Sequence, residues 1–230
     1  MPAYRFFLDQ PFRAHERYQL PKEEAHHLTH VMRCREGEHI ELVNGRGQLA
    51  HATLLPHAMI LLDEVLEASP LPSLIIAQAW IKPNRLDIIV EKGTELGMTE
   101  LWLFPGDKSE KIHLSEHHLT RFRHLSIAAM KQCGRLDLPS IRVLDPLSQW
   151  TKLPCTSYFG SLMPGTPWLY DIMSPGAPGL FVVGPEAGFS SQEETHLKKL
   201  GACGVTLHTS TLRAETAPLV ALALMSQHRK

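Results

Sequence analysis

Leu180-Phe181-Val182-Val183-Gly184-Pro185-Glu186-Ala187-Gly188-Phe189-Ser190 is the stretch that decides the fold. Its run of apolar residues, β-branched at Val182 and Val183, predicts a strand buried on both faces that ends in a tight turn at Gly184-Pro185. Ser190-Ser191-Gln192-Glu193-Glu194 then opens a helix, with Ser190/Glu193 and Ser191/Glu194 both at capping-box spacing. Strand, glycine turn and helix start bring backbone N–H groups to the carboxyl edge of a parallel sheet, where ligands bind. The Gly-x-Gly-x-x-Gly order is missing, as is an acidic residue about twenty positions on, so a dinucleotide fingerprint is excluded. A Walker A loop fails for want of Gly-Lys-Ser/Thr. Taken alone, the turn fits a structural role at least as well as a binding one.

Outward from this stretch, residues 71–230 alternate strands and helices. The predicted strands are Leu74–Ile81, Glu100–Phe104, Ile141–Leu144, Ser157–Leu162, Leu180–Val183 and Val205–Leu207. The predicted helices are Arg85–Leu96, Glu116–Cys133, Ser148–Leu153, Ser190–Leu200 and Glu215–His228. This alternation reads as an α/β domain with a parallel sheet covered on both faces. Between Met163 and Gly179 lie four prolines and three glycines, a loop or lid. The composition changes near Ser69-Pro70-Leu71-Pro72. Residues 1–70 carry short β-like runs at Tyr4–Leu8, His39–Val43, Gln48–Leu55 and Met59–Val65, with a hairpin signal at Asn44-Gly45-Arg46-Gly47. One helix, Lys22–Met32, interrupts them, its apolar residues Ala25, Leu28, Val31 and Met32 on one face. A second, small β-rich domain follows from this.

The 230 residues are 43% hydrophobic and carry 23 Lys+Arg against 24 Asp+Glu, a net charge of -1. A sizeable core is available, and a generally basic nucleic-acid-binding chain is excluded; any such site is a local patch. No run of apolar residues is long enough for a membrane span, and no signal-peptide pattern opens the chain, so a cytosolic protein is expected. Cys34, Cys133, Cys155 and Cys203 form no Cys-x-x-Cys pair and read as reduced thiols. His26, His27 and His30 sit at helical spacing without a His-Glu-x-x-His motif, and a solvated helix face is preferred to a metal site.

A second chemical feature is Leu207-His208-Thr209-Ser210-Thr211-Leu212-Arg213-Ala214-Glu215-Thr216-Ala217-Pro218, running into the apolar Leu219–Met225. Pro218 suits the first turn of a helix. Apolar on every side, that helix should be buried within the fold or against another subunit. Arg213 and Glu215 at its start are an ion pair or a functional pair. Lys131-Gln132-Cys133-Gly134-Arg135 places cations at a helix C-terminus, where they complement the dipole. Arg33, Arg35 and Arg46 cluster around the helix end and hairpin of the first domain, able to meet phosphate.

Together, Arg5-Phe6-Phe7, His26 to Gly47, Lys92-Gly93-Thr94-Glu95-Leu96-Gly97, Lys108-Ser109, Gln132–Arg135, Gly184–Phe189 and Leu212–Ala217 resemble the 16S ribosomal RNA uridine-N3 methyltransferase family of the SPOUT (trefoil-knot) superfamily. The order of these segments over nearly the whole chain makes the resemblance specific. It implies a PUA-like β-barrel RNA-binding domain at 1–70 and a methyltransferase domain at 71–230 ending in a trefoil knot. It also implies a homodimer, S-adenosylmethionine as cofactor, no metal, and 16S rRNA or the small ribosomal subunit as partner. By the same resemblance Val183, Gly184, Glu186, Gly188, Leu207, Leu212, Thr216 and Ala217 hold the cofactor. Arg213 stabilises charge on the uracil, and Glu215 orients Arg213 or accepts a proton. Arg5, Arg33, Arg46, Lys108 and Arg135 face RNA. The chain departs from the family at Ala187 and His208, where glycine is usual, at Lys131, usually acidic, and at Lys108, usually Arg. A related ribose 2′-O-methyltransferase, a nucleotide-dependent oxidoreductase and a non-catalytic RNA-binding module are the alternatives.

Overall fold

The structure, a computed structural model, describes residues 5–110, 114–174 and 176–227. Tyr4 and His228, the outer residues of two expected elements, and Pro175 of the expected loop lie outside the described residues. The chain divides into two compact units. One comprises residues up to Pro70 together with Ile127–Leu138, and the other Leu71–Ser126 with the chain from Pro139 onward.

In the first unit, strands β1 (Arg5–Phe7), β2 (Arg17–Gln19), β3 (His39–Val43), β4 (Gln48–Leu54) and β5 (Met59–Glu67) form a sheet in the order β1-β3-β4-β5-β2. β1 runs parallel to β3 and the other pairs are antiparallel. Phe6, Leu28, Ile40, Leu42, Ile60 and Leu62 fill its core. The β3–β4 hairpin is built by Asn44, whose Oδ1 accepts from the N–H of Arg46 (2.9 Å) and of Gln48 (3.2 Å). Gly45 and Gly47 take the positive φ that this turn demands, +70° and +92°. The expected single helix is instead α1 (Lys22–His26) continued as a π-helix over His27–Val31. There the Thr29 hydroxyl turns back to the Ala25 carbonyl at 2.8 Å. Strand β2, three residues long, had no readable alternation.

Ile127–Leu138 joins this unit, contrary to the expected boundaries, through specific bonds. The Gly47 N–H donates to Leu136 O and the Leu138 N–H to Gly45 O, each at 2.9 Å. Lys131, the departure from an acidic position, meets Glu24 at 2.8 Å.

In the second unit, β6 (Leu74–Ala79), β7 (Glu100–Phe104), β8 (Ser140–Val143), β9 (Thr156–Gly160), β10 (Gly179–Val183) and β11 (Cys203–Val205) form an all-parallel sheet ordered β11-β9-β10-β6-β7-β8. The helices are α2 (Pro83–Glu95), the part of α3 (Glu116–Cys133) up to Ser126, α4 (Leu169–Ile172), α5 (Ser191–Lys199) and α6 (Ala217–Ser226). Successive residues of β6 serve opposite faces: Leu74 and Ile76 pack with Leu86, Ile89, Phe122 and Leu222, while Ile75, Ala77 and Ala79 pack with Leu147 and Leu197. Each fully buried Leu, Ile or Phe stabilises by about 1.5–3 kcal/mol, which explains why this sheet reads as continuous apolar runs. Among the described residues no helix is long and apolar enough to cross a membrane.

Two expectations fail here. Ser148–Leu153 is no helix; a 3-10 turn at Leu147–Gln149 gives way to extended chain. Pro146 and Pro154 bracket the segment, and the Trp150 ring packs edge-on to Phe104 at 5.2 Å and to Trp102 at 5.8 Å. α4, inside the Pro/Gly-rich loop, was not foreseen. The last helix starts at Ala217 and buries Pro218, Ala221, Leu222 and Met225, leaving Leu219, Val220, Ala223 and Leu224 half-buried.

Of the two candidate capping boxes, the chain uses Ser190/Glu193. The Glu193 N–H donates to Ser190 Oγ (3.1 Å) and the Ser190 N–H to Glu193 Oε2 (2.7 Å). The buried Glu193 also accepts from the Asp107 N–H through Oε1 at 3.0 Å. Losing a cap alone costs about 1 kcal/mol. In urea melts, Ser190→Ala, which also gives up the exposed hydroxyl's bond to Asp107 Oδ2, should lose about 1–2 kcal/mol, and Glu193→Ala, which leaves two N–H groups without their acceptor, about 3 kcal/mol. Equal losses would contradict the double role of Glu193.

Candidate active site

Three strand-end segments, Gly160–Met163 after β9, Val183–Phe189 after β10 and Val205–Ala214 after β11, enclose a cleft of about 1000 Å³. It lies at the carboxyl ends of the strands, where β6 has neighbours leading in opposite directions along the chain, the usual binding crevice of open parallel sheets.

The first wall depends on Gly184. A Cβ there would lie 3.0 Å from the Phe189 backbone nitrogen and 3.2 Å from the Gly188 carbonyl carbon, so the turn folds back on itself only without a side chain. Pro185 O accepts the Gly188 N–H at 2.9 Å, and the left-handed residue of this turn is Gly188, φ +71°. Ala187 is not among the positive-φ residues, so the departure from glycine there brings no strain. Lys108 donates to Phe189 O at 2.8 Å and holds the far end of the turn.

The second wall is the turn before α6. Arg213 O accepts the N–H groups of Thr216 (2.9 Å) and Ala217 (3.0 Å). The Arg213 side chain is 78% exposed and lines the cleft. Behind it Glu215 is buried, with Oε1 at 3.9 Å from Arg213 Nη1. His208, the other departure from glycine, is exposed; its Nδ1 accepts the Ser210 N–H at 3.0 Å and rigidifies the rim.

Of the expected site residues, Val183, Gly184, Glu186, Gly188, Leu207, Leu212, Arg213 and Ala217 come together on the cleft wall. Glu215 and Thr216 stand behind the wall, as the ion-pair partner of Arg213 and the N-cap of α6. Arg85, in the first turn of α2, was not singled out, yet its Nη1 lies 2.7 Å from Glu186 Oε1 and 3.8 Å from Glu215 Oε2. No local signal links it to Glu186, 101 residues away.

The arginines expected at RNA fall into two groups. Arg33 and Arg46 are exposed, Arg33 with φ +56° and Arg46 bonded to Asp9 at 2.8 Å. Arg5 and Arg135 are about nine-tenths buried and paired with Glu41 and Asp137. Those guanidiniums hold their own unit together. His26 and His30 stack with ring centroids 4.5 Å apart. Among the described residues no group of three or more His, Cys, Asp or Glu could hold a metal. All four cysteines are free thiols, and burial pushes those of Cys34 and Cys155 up, away from the reactive thiolate.

In chemical terms the cleft offers apolar side chains for a ring, backbone groups of a glycine turn for polar edges, and one exposed guanidinium. The sequence profile described as an RNA methyltransferase domain matches residues 67–226, and that of an RNA methyltransferase PUA domain matches residues 20–55. The chain is 27% identical over 229 residues to ribosomal RNA small subunit methyltransferase E of Bacillus subtilis, covering 91% of this chain and 89% of that protein. With the protein of the same name from Synechocystis it shares 29% identity, over 89% of this chain and 71% of the other. Its fold matches, with TM-score 0.83 and 28% identity over 97% of both chains, a ribosomal RNA small subunit methyltransferase E from Neisseria gonorrhoeae bound to S-adenosyl methionine.

The geometry of the first wall can be tested directly. Gly184→Ala should destabilise by about 1–3 kcal/mol, the cost of overpacking, because backbone rather than a flexible side chain must give way. Gly188→Ala, with nothing within 4 Å of an added Cβ, should carry only the left-handed backbone cost of about 1–2 kcal/mol. Urea denaturation reads both; a neutral Gly184→Ala would show that the turn does not need the close approach.

Proposed function

The chain belongs to the RNA methyltransferase family, and we propose that it transfers the methyl group of S-adenosylmethionine to N3 of a uridine in 16S rRNA of the small ribosomal subunit. The observation that carries this reading is the cleft itself: three strand-end loops around a side-chain-free turn at Gly184, with Arg213 projecting from the opposite wall. The residues present fit the cofactor. The bare turn gives backbone groups close approach, Val183, Leu207, Leu212 and Ala217 suit a nucleoside ring, and Glu186 suits an ammonium. The Neisseria relative, whose structure holds S-adenosyl methionine, supports the same choice.

When bound, S-adenosylmethionine supplies an electrophilic methyl whose bonding pair stays on sulfur. The chain's own task lies on the uridine side. The N3 lone pair is tied up in the imide, so the N3–H proton leaves to solvent as the N3–methyl bond forms. Until that bond is complete, the negative charge left by the proton is spread over O2, N3 and O4. Arg213 is placed to meet it: its carbonyl is locked by two N–H groups of the α6 start, and Glu215 Oε1 stands 3.9 Å from its guanidinium. A preorganised cation at the site of developing charge is a large catalytic effect. Glu215 orients Arg213 and is not the base, since its carboxylate stands behind the cleft wall.

In this reading the second unit ends in a trefoil knot. In support, the chain leaves β11 at the sheet edge and returns to lay α6 on β10 and β6, while Thr206 is bonded to Pro167 and Leu169 of the loop between β9 and β10. The first unit, as a PUA-like barrel, docks RNA through Arg33 and Arg46. The enzyme acts in the cytosol as a homodimer; the half-buried Leu219, Val220 and Ala223 and the exposed Leu162, Met163 and Tyr170 supply apolar surface for a second copy.

Calorimetry should detect S-adenosylmethionine binding that neither NADH nor ATP displaces; saturable NADH binding without a response to S-adenosylmethionine would overturn the assignment. Arg213→Ala should slow single-turnover methylation by roughly 10²-fold or more. Its melting temperature should change little, because the side chain is mostly exposed and the 3.9 Å ion pair is weak. A clear stability loss with a normal rate would reduce Arg213 to a helix-start ion pair.

A further inference from the structure

Glu215 Oε2 is buried and, among the described residues, has no hydrogen-bond partner. The nearest cation is Arg85, whose Nη1 lies 3.8 Å away, outside hydrogen-bond range. That same nitrogen is bonded to Glu186 Oε1 at 2.7 Å. A buried carboxylate oxygen without a donor is a costly arrangement, and one beside a guanidinium is relieved by a shift of about 1 Å. Glu186, the competing partner of that nitrogen, sits on the glycine turn and lines the cleft, as does Arg85 itself.

We infer that Arg85 is a positioning residue with two partners: it is held by Glu186 while the turn is free, and passes to Glu215 when a cationic ligand group takes over Glu186. This rests on the reading of the cleft as a site for S-adenosylmethionine, whose ammonium group is of the right charge to pair with Glu186. No bond is made or broken in the exchange beyond hydrogen bonds and ion pairs. Its consequence is mechanical. With Arg85 donating to Oε2, Glu215 is fixed from behind and keeps Oε1 toward Arg213, so occupation of the donor half of the cleft firms the cation that faces the uridine. Arg85 is 29% exposed and Glu186 33%, so both can move without crossing packed core.

The test is a double-mutant cycle on the full-length chain, read as unfolding constants in urea. Arg85→Gln, Glu215→Gln and the double variant are compared in two backgrounds, wild type and Glu186→Gln. Glu186→Gln removes the competitor without any ligand, so it mimics the proposed bound arrangement. The Arg85–Glu215 coupling should be under about twofold in the wild-type background and about tenfold with Glu186→Gln, within the range for residues in one charge network. Equal coupling in both backgrounds overturns the exchange, whatever the ligand proves to be. A third arm repeats the wild-type cycle with saturating S-adenosylhomocysteine, its binding checked by calorimetry. Coupling that rises to the Glu186→Gln level supports the proposal in full, and coupling that stays low despite binding overturns the ligand-driven half. Absence of binding counts against the function proposed above and leaves the ligand-free arm to decide the exchange. Arg85→Lys keeps the charge but shortens the donor fork. At saturating S-adenosylmethionine it should lower the single-turnover rate at least tenfold while the urea midpoint stays close to wild type, a split that loss of folding would not produce.

Discussion

The carboxylate of Glu193 ties together the parts on which the cleft depends. Buried at the start of α5, it takes the Ser190 N–H on one oxygen and the Asp107 N–H on the other. The first bond sets where the helix begins and therefore how many residues are left for the turn after β10. The second fixes that turn to the loop after β7, where Lys108 holds the Phe189 carbonyl. With both ends anchored, the chain between Val183 and Ser190 must reverse in a small space, so tight that a Cβ at Gly184 would lie 3.0 Å from the Phe189 nitrogen. The positive end of the α5 dipole stabilises the charge that does this. A neutral or shorter residue at 193 would free the turn and with it one wall of the cleft.

The opposite wall follows a different logic. The residues before α6 carry charge into a largely apolar setting, and the chain meets that cost with an arrangement of alternating sign: Glu186, Arg85, Glu215 and Arg213. Only the last of these is mostly exposed. A set of charges gathered around one buried carboxylate, Glu215, with an unsatisfied oxygen is poor as a stability device, since an apolar residue of equal volume there would serve as well. Its use, on the proposed reading, is to keep a carboxylate beside the one guanidinium that projects into the cleft.

How far this was legible in the sequence follows from the range of each interaction. β10, its glycine turn and the α5 cap are local, and the apolar run with Ser-x-x-Glu spacing announces them. The β3–β4 hairpin is equally local, carried by Asn44-Gly45. The all-apolar helix was readable, although its own unit covers only one side of it. Arg85 was invisible because its partners lie more than a hundred residues away and nothing in Lys82-Pro83-Asn84-Arg85 marks it as more than a helix start. The same limit hid the pairing of Leu136 and Leu138 with the hairpin, which draws Ile127–Leu138 into the first unit. The resemblance assigned Arg5 and Arg135 to RNA from their positions in the chain, and the fold pairs them, mostly buried, with Glu41 and Asp137. The false helix at Ser148–Leu153 came from composition, and the two flanking prolines and the aromatic seat of Trp150 decided otherwise.

The central proposal is that the Arg213 guanidinium, projecting into the cleft, meets an imide anion on a base. The most direct measurement is nucleoside mass spectrometry of small-subunit rRNA and assembled subunits treated in vitro with the full-length chain and methyl-labelled S-adenosylmethionine. Label in 3-methyluridine, at one position, is the result predicted. Label in a 2′-O-methylated nucleoside, or none on either substrate while the cofactor binds, would contradict it.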